Sequence, residues 1–115
     1  MEKIEISKIA DTINGHLSIN KEVYVTGVSI DSRTTKKGDI FFAVKGENLD
    51  GHNFVNDAIS KGAAAVVVSE RVPLIRKSPT IYVKDTTTAL QDFAKYYRHK
   101  FNVKVIGITG SNGKT

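Results

Sequence analysis

The feature that most constrains the fold lies at the end of the sequence, where Lys104-Val105-Ile106-Gly107-Ile108 runs into Thr109-Gly110-Ser111-Asn112-Gly113-Lys114-Thr115. The first segment reads as a short buried strand. The second carries what a phosphate cradle needs: glycines that let backbone N–H groups approach an anion, a Lys for the terminal phosphates and a Thr hydroxyl for Mg²⁺. A strand feeding such a loop belongs to an α/β architecture, in which a helix follows and its N-terminal N–H groups complete the anion site. The chain stops at Thr115, before that helix, so it is expected to be part of a longer ATP- or GTP-using protein. The spacing is a variant, because the usual pattern puts Gly five positions before Gly113 and Ile108 stands there. The competing reading is a glycine-rich turn with an incidental Gly-Lys-Thr.

With 115 residues, one domain can bury roughly 65% of its unfolded surface without covalent staples. The sequence has no cysteine, which excludes disulfides and thiolate metal sites. His16, His52 and His99 are scattered, which argues against a histidine metal centre. The charged start Met1-Glu2-Lys3-Ile4-Glu5 lacks a secretory signal, and no apolar run approaches the ~20 residues of a membrane span. A cytoplasmic protein is expected. The net charge of +5 favours anionic partners. Its lysines and arginines are dispersed, with no aromatic-rich nucleic-acid motif beside them, so a phosphorylated small molecule is served as well as a nucleic acid.

Ser7 to Asn14 reads as a helix capped by Ser7, with Ile9, Ala10 and Ile13 on one face and Gly15 ending it. Val23-Tyr24-Val25 and Val28-Ser29-Ile30 are strand-like, with a bend at Thr26-Gly27. Ile40 to Val44 is a strongly apolar strand. Asn53 is placed to cap a helix through Lys61, with Phe54, Ala58 and Ile59 inward and Gly62 as its stop. Ala63 to Val68 and Thr80 to Val83 read as strands. A helix then runs from the Asp85-Thr86-Thr87-Thr88 caps to about Lys100, with Leu90, Phe93, Ala94 and Tyr97 on one face. This order favours an α/β sandwich over residues 1–101, and residues 102–115 begin a second domain. The apolar strands and the last helix face provide one core, so the first unit is expected to fold by itself.

Two loops are more polar than strand connections require. Ile30-Asp31-Ser32-Arg33-Thr34 offers a carboxylate, hydroxyls and a guanidinium suited to a nucleobase or diphosphate. Gly46-Glu47-Asn48-Leu49-Asp50-Gly51-His52 has glycines that let backbone groups face a ligand. Composition alone favours ordinary Asx and Ser turns in both loops, with His52 a turn residue rather than a catalyst.

Taken together, Ile30-Asp31-Ser32-Arg33, Gly38-Asp39-Ile40-Phe41-Phe42-Ala43, Lys45-Gly46, Asp50-Gly51-His52 and Gly107 to Thr115 resemble the Mur ligases of peptidoglycan synthesis, in the family's order and spacing. The best match is to the members that add D-alanyl-D-alanine. The members that add diaminopimelate or lysine usually carry a Tyr-x-x-Pro-Ser stretch where this chain has Tyr96-Tyr97-Arg98-His99-Lys100-Phe101-Asn102, and tend to have Thr at the place of Ser111.

The resemblance implies a small mixed-sheet α/β sandwich that holds the UDP end of a UDP-N-acetylmuramoyl-peptide. Ile30, Ser32, Arg33, Glu47, Asn48 and Leu49 match the UDP-contacting positions. It implies ATP binding by Thr109, Gly110, Ser111, Asn112, Gly113, Lys114 and Thr115, with Thr115 on Mg²⁺. The second substrate would be D-alanyl-D-alanine, joined through an acyl phosphate in a monomeric enzyme. These 115 residues alone are expected to be inactive, since the family's metal carboxylates and dipeptide site lie in other parts of the protein. A stand-alone anion- or nucleic-acid-binding module is the alternative.

Overall fold

The computed structural model describes residues 2–19 and 21–101. Along the chain these form β1 (Ile4–Glu5), α1 (Ile6–Thr12), β2 (His16–Leu17), β3 (Tyr24–Val25), β4 (Gly27–Ser29), a 3₁₀ turn (Ser32–Thr34), β5 (Asp39–Phe42), a second 3₁₀ turn (Gly51–Phe54), α2 (Val55–Ser60), β6 (Ala65–Val68), β7 (Thr80–Tyr82) and α3 (Thr86–Phe101). The residues from 102 onward, and with them the phosphate-loop expectation, lie outside the described residues.

Strands β5 and β6 are buried at every position, as parallel strands covered on both faces must be. They are the centre of a five-stranded sheet in the order β2-β7-β6-β5-β4. Neighbours from β4 to β7 run parallel, while β2 joins the far edge antiparallel. The sheet is therefore mixed, as expected. β1 and β3 form a separate antiparallel pair. Alternation along the strands divides the core. Ile40, Phe42, Ala65, Val67 and Ile81 pack with Ile6 and Ile9 of α1 and Ala89 and Phe93 of α3. Phe41, Val66 and Val68 face the other way, against Val55, Ala58 and Ile59 of α2. Helices on both faces bury the two sides of one sheet.

Four local expectations are corrected. Ser7 lies inside α1, and the N-cap is Glu5, which makes no side-chain capping bond. The Ile6 N–H goes instead to Val23 O at 2.8 Å, so the helix starts directly from β1. Its end is Asn14, in the left-handed conformation at φ 55°, not Gly15. Gly15 N–H bonds Ala10 O at 2.8 Å and Asn14 N–H bonds Asp11 O at 3.3 Å, the paired bonds of a Schellman stop. The cap ahead of α2 is Asp50 rather than Asn53. The 3₁₀ turn it starts moves the inward set to Val55, Ala58 and Ile59, leaving Phe54 exposed. On α3, Ala94 is exposed, and Ala89 joins Phe93 in the core.

Other signals stand as read. Gly62 stops α2 at φ +105°, where a Cβ would also meet Lys37 Cα at 2.9 Å. Asp85 caps α3 by accepting from Thr87 N at 2.8 Å and Thr88 N at 3.1 Å. Among the described residues no helix is long and apolar enough to cross a membrane.

Candidate functional site

Because β4 and β5 are parallel neighbours, the loops that leave their C-terminal ends emerge side by side. They enclose a cleft of ≈ 450 Å³ lined by Ile30, Asp31, Ser32, Arg33, Phe41, Val44, Gly46, Leu49, Gly51 and Phe54. Four residues expected at a ligand site, Ile30, Ser32, Arg33 and Leu49, thus come together from two separate loops. Glu47 and Asn48 are exposed on the second loop and stand outside the lining. Thr109 to Thr115 lie outside the described residues.

The first wall is a turn held by Asp31. Its carboxylate accepts from the Arg33 backbone N–H at 2.9 Å, from Arg33 Nε at 3.0 Å and from Nη2 at 2.7 Å. Its carbonyl accepts from the hydroxyls of Thr34 at 3.2 Å and Thr35 at 3.1 Å. Arg33 is therefore a guanidinium already oriented by Asp31, with Nη1 making no bond among the described residues. The Arg33 side-chain bonds, and after them its backbone N–H, hold the Asp31 carboxyl at about 2. An unfolded Asp titrates near ~3.9, so the stabilisation is complete above that pH and is lost as pH falls towards about 2. Carboxyl NMR should show the low Asp31 midpoint, and Arg33→Gln should return it towards ~3.9. An ordinary midpoint in the unaltered protein would contradict this turn geometry.

Ser32 is the unusual residue of this wall. The residue is only 4% exposed and it lines the cleft, yet its hydroxyl has no hydrogen-bond partner among the described residues. A buried hydroxyl without a partner is costly, and one facing a cleft is available to a ligand. Around it the surface is apolar. Ile30 and Leu49 are 55% and 66% exposed on opposite walls, and Phe41 and Val44 are also in the lining. The arrangement suits a flat, mostly apolar group that carries hydrogen-bonding edges.

The second wall is a tight excursion from β5. Gly46 N–H bonds Leu49 O at 2.7 Å, and Gly51 N–H bonds Val44 O at 2.9 Å. Its base is fixed by His52, which is buried. The Ser69 backbone N–H donates to His52 Nε2 at 2.9 Å. Nε2 therefore carries the lone pair and Nδ1 the proton, which points at Asp50 Oδ1 at 2.7 Å. Burial pushes the Asp50 carboxyl up, but the bonds from the His52 backbone and ring outweigh it and hold the carboxyl below its ordinary value. Ring and carboxylate atoms of Asp50, His52 and Glu70 lie within 4.8 Å of one another. Both His52 nitrogens are already engaged, however, and Glu70 pairs with Lys45 at 3.2 Å, so the group is a brace rather than a metal centre. The sequence reading of His52 as a turn residue was right about its place and missed its partner. Ser69 is 17 residues away, and no local pattern marks such a pair.

A cleft at the C-terminal ends of parallel strands is where open α/β sheets bind small ligands, and the fold is that of a mixed-sheet α/β domain with such a cleft. Residues 24–98 match the Mur ligase family, catalytic domain. The chain belongs to the Mur ligase family. It is 40% identical over its whole length to the UDP-N-acetylmuramoyl-tripeptide--D-alanyl-D-alanine ligase of Bacillus subtilis, of which it covers 26%. It is 47% identical over 93 residues, 79% of the chain, to the UDP-N-acetylmuramoyl-L-alanyl-D-glutamate--2,6-diaminopimelate ligase of Aquifex aeolicus, covering 19% of that protein. A crystal structure of MurF from Acinetobacter baumannii superimposes with a TM-score of 0.77 at 26% identity, covering 87% of this chain and 22% of that one. The chain thus spans about a quarter of the length of the relatives it matches from end to end.

Proposed function

We propose that this chain is the part of a peptidoglycan-precursor ligase that holds the uridine diphosphate end of UDP-N-acetylmuramoyl-tripeptide. The observation that carries the reading is the cleft between the Ser32 and Leu49 loops, with a buried Ser32 hydroxyl that has no partner among the described residues between apolar walls. Uracil fits that chemistry, since its faces are apolar and its edges offer both donors and acceptors. The Arg33 N–H groups that no described residue engages supply a charged partner for the diphosphate.

In the whole protein the ligand's peptide carboxylate would attack the γ-phosphorus of ATP, releasing ADP and forming an acyl phosphate. The amine of D-alanyl-D-alanine would then attack the acyl carbon and release phosphate. Lys114 and the Thr115 hydroxyl are the donor set that fits ATP and Mg²⁺. Within this chain, the work is binding and orientation. Fixing the nucleotide end lets binding energy remote from the reacting carboxylate contribute to positioning it. The D-alanyl-D-alanine reading is favoured by end-to-end similarity to the B. subtilis relative. Addition of diaminopimelate or lysine is the second reading, supported by the higher identity to the shorter A. aeolicus match.

Titrating UDP into the 115-residue chain should shift amide resonances at residues 30–34 and 46–52, with ADP producing smaller shifts there. Binding should be weak, because only part of the substrate is engaged. Ser32→Ala should weaken it by about 0.5–1.5 kcal/mol, the value of one neutral hydrogen bond. The same substitution removes an unsatisfied buried group, so the unfolding midpoint should hold or rise. Equal responses to uracil and adenine nucleotides, or shifts spread over surface lysines, would replace this reading with generic anion binding.

A further inference from the structure

We infer that His52 is a positioning residue for the cleft, a clamp that ties the Gly46–Gly51 wall to the end of β6 only while its Nε2 is unprotonated. Nothing in the chemistry proposed above uses this ring. It is buried and joins two pieces of chain. Asp50 and His52 belong to the turn that closes the second wall, and Ser69 follows the last residue of β6. Gly51, between them, lines the cleft and donates to Val44 O at 2.9 Å. The ring therefore fixes the wall from behind without facing the ligand.

The clamp depends on protonation because the nearer partner of Nε2 is the Ser69 backbone N–H at 2.9 Å, with the Ser69 hydroxyl farther off at 3.4 Å. The backbone N–H can only donate, so a proton on Nε2 would set two donors against each other. The charged groups facing the ring supply the alternative. Asp50 stays on the Nδ1 side, while Glu70, paired with Lys45, lies within the same 4.8 Å cluster. A doubly protonated ring can donate to the Glu70 carboxylate or to the Ser69 hydroxyl, and in either case it loses the bond from the Ser69 amide. The outcome is a weaker hold of the wall on β6 and a looser cleft once the ring is doubly protonated.

Hydrogen exchange in the ligand-free chain tests the clamp without reference to the ligand. The Ser69 and Gly51 amides should be protected when the ring is singly protonated, and protection should fall as the ring takes its second proton. His52→Leu keeps the bulk and removes the acceptor, and should lower protection at both amides about tenfold, as expected for loss of a buried hydrogen bond. His52→Gln places an amide oxygen where Nε2 was, and should restore protection while removing its pH dependence. Nitrogen spectra of the ring should show the proton on Nδ1. A proton on Nε2 at neutral pH, or protection unchanged by pH and by His52→Leu, overturns the inference. If the Leu variant does not fold, the ring spectra, the wild-type pH profile and the Gln variant still decide it. UDP affinity should follow the same order, lowered several-fold by Leu and kept by Gln. That arm rests on the proposed function, and absence of UDP binding to the unaltered chain would refute the ligand while leaving the exchange result to judge the clamp.

Discussion

Replacing Phe42 by Ala should lower folding stability by about 3–5 kcal/mol, the usual cost of deleting a buried phenyl ring. Phe42 is fully buried at the centre of the sheet. It packs against Phe93 of α3 with ring centroids 6.0 Å apart, and Phe93 continues to Tyr97 at 6.3 Å. The ring thus joins sheet to helix within the larger of the two core clusters. Its neighbours are strands braced on both sides, which limits how far the site can collapse around the void. A domain of this size has roughly 5–15 kcal/mol of stability in total, so the substitution should remove a large fraction of it. Urea unfolding followed by circular dichroism should show the midpoint falling with an unchanged slope. Ile75→Ala is the control, since Ile75 is 90% exposed and should change stability by no more than about 0.5 kcal/mol. A Phe42→Ala loss below about 1 kcal/mol would be incompatible with this core.

Gly51→Ala should have the largest effect on the cleft. A Cβ at residue 51 would lie 2.7 Å from Val44 N and 3.0 Å from both Ala43 C and Ala43 Cα. These are backbone atoms at the end of β5, and they have no rotamer into which to move away. Either the strand end or the loop must shift, at about 1–3 kcal/mol for overpacking of this kind. The same displacement breaks the Gly51–Val44 bond and moves Val44 and Leu49, so the response to UDP should vanish in a protein that is still folded. Gly46→Ala provides the comparison on the same loop. Its Cβ would meet only Leu49 O at 3.4 Å, an ordinary contact, and UDP binding should persist. Equal binding by Gly51→Ala would mean that the second wall does not form the site.

Both substitutions act on features that the sequence marks unequally. Phe42 stands in an apolar run that reads as a buried strand without any tertiary information. Gly51 is one of two glycines bracketing a polar loop. Its requirement comes from Ala43 and Val44 passing behind it, which depends on how the excursion folds back on β5.

The two short strands β1 and β2 were invisible for a related reason. Each has two residues, too few to show a period, and each exists because a partner is present. His16 and Leu17 become a strand only by pairing with Tyr82 and Ile81, more than sixty positions away. The stop of α1 shows the same limit at closer range. Gly15 is the usual residue after a helix end, but the tertiary structure places the left-handed turn one residue earlier, at Asn14, while Gly15 passes beside Ile81.

By itself the sequence determined the strands β5, β6 and β7, the long C-terminal helix with its Asp85 cap, the Gly62 stop and the two loops that merit attention as a site. All of these rest on apolar runs, on periodicity or on interactions within about four residues, which the order of the chain encodes directly. Only the tertiary structure decided that the two loops share one cleft, because their meeting follows from β4 and β5 lying side by side and parallel. It also decided that the Ser32 hydroxyl is buried without a partner among the described residues and that His52 reaches Ser69. Those facts depend on which polar groups are brought together or kept apart once strands have paired, and hydrogen bonds are too short-ranged and too directional to be read from composition.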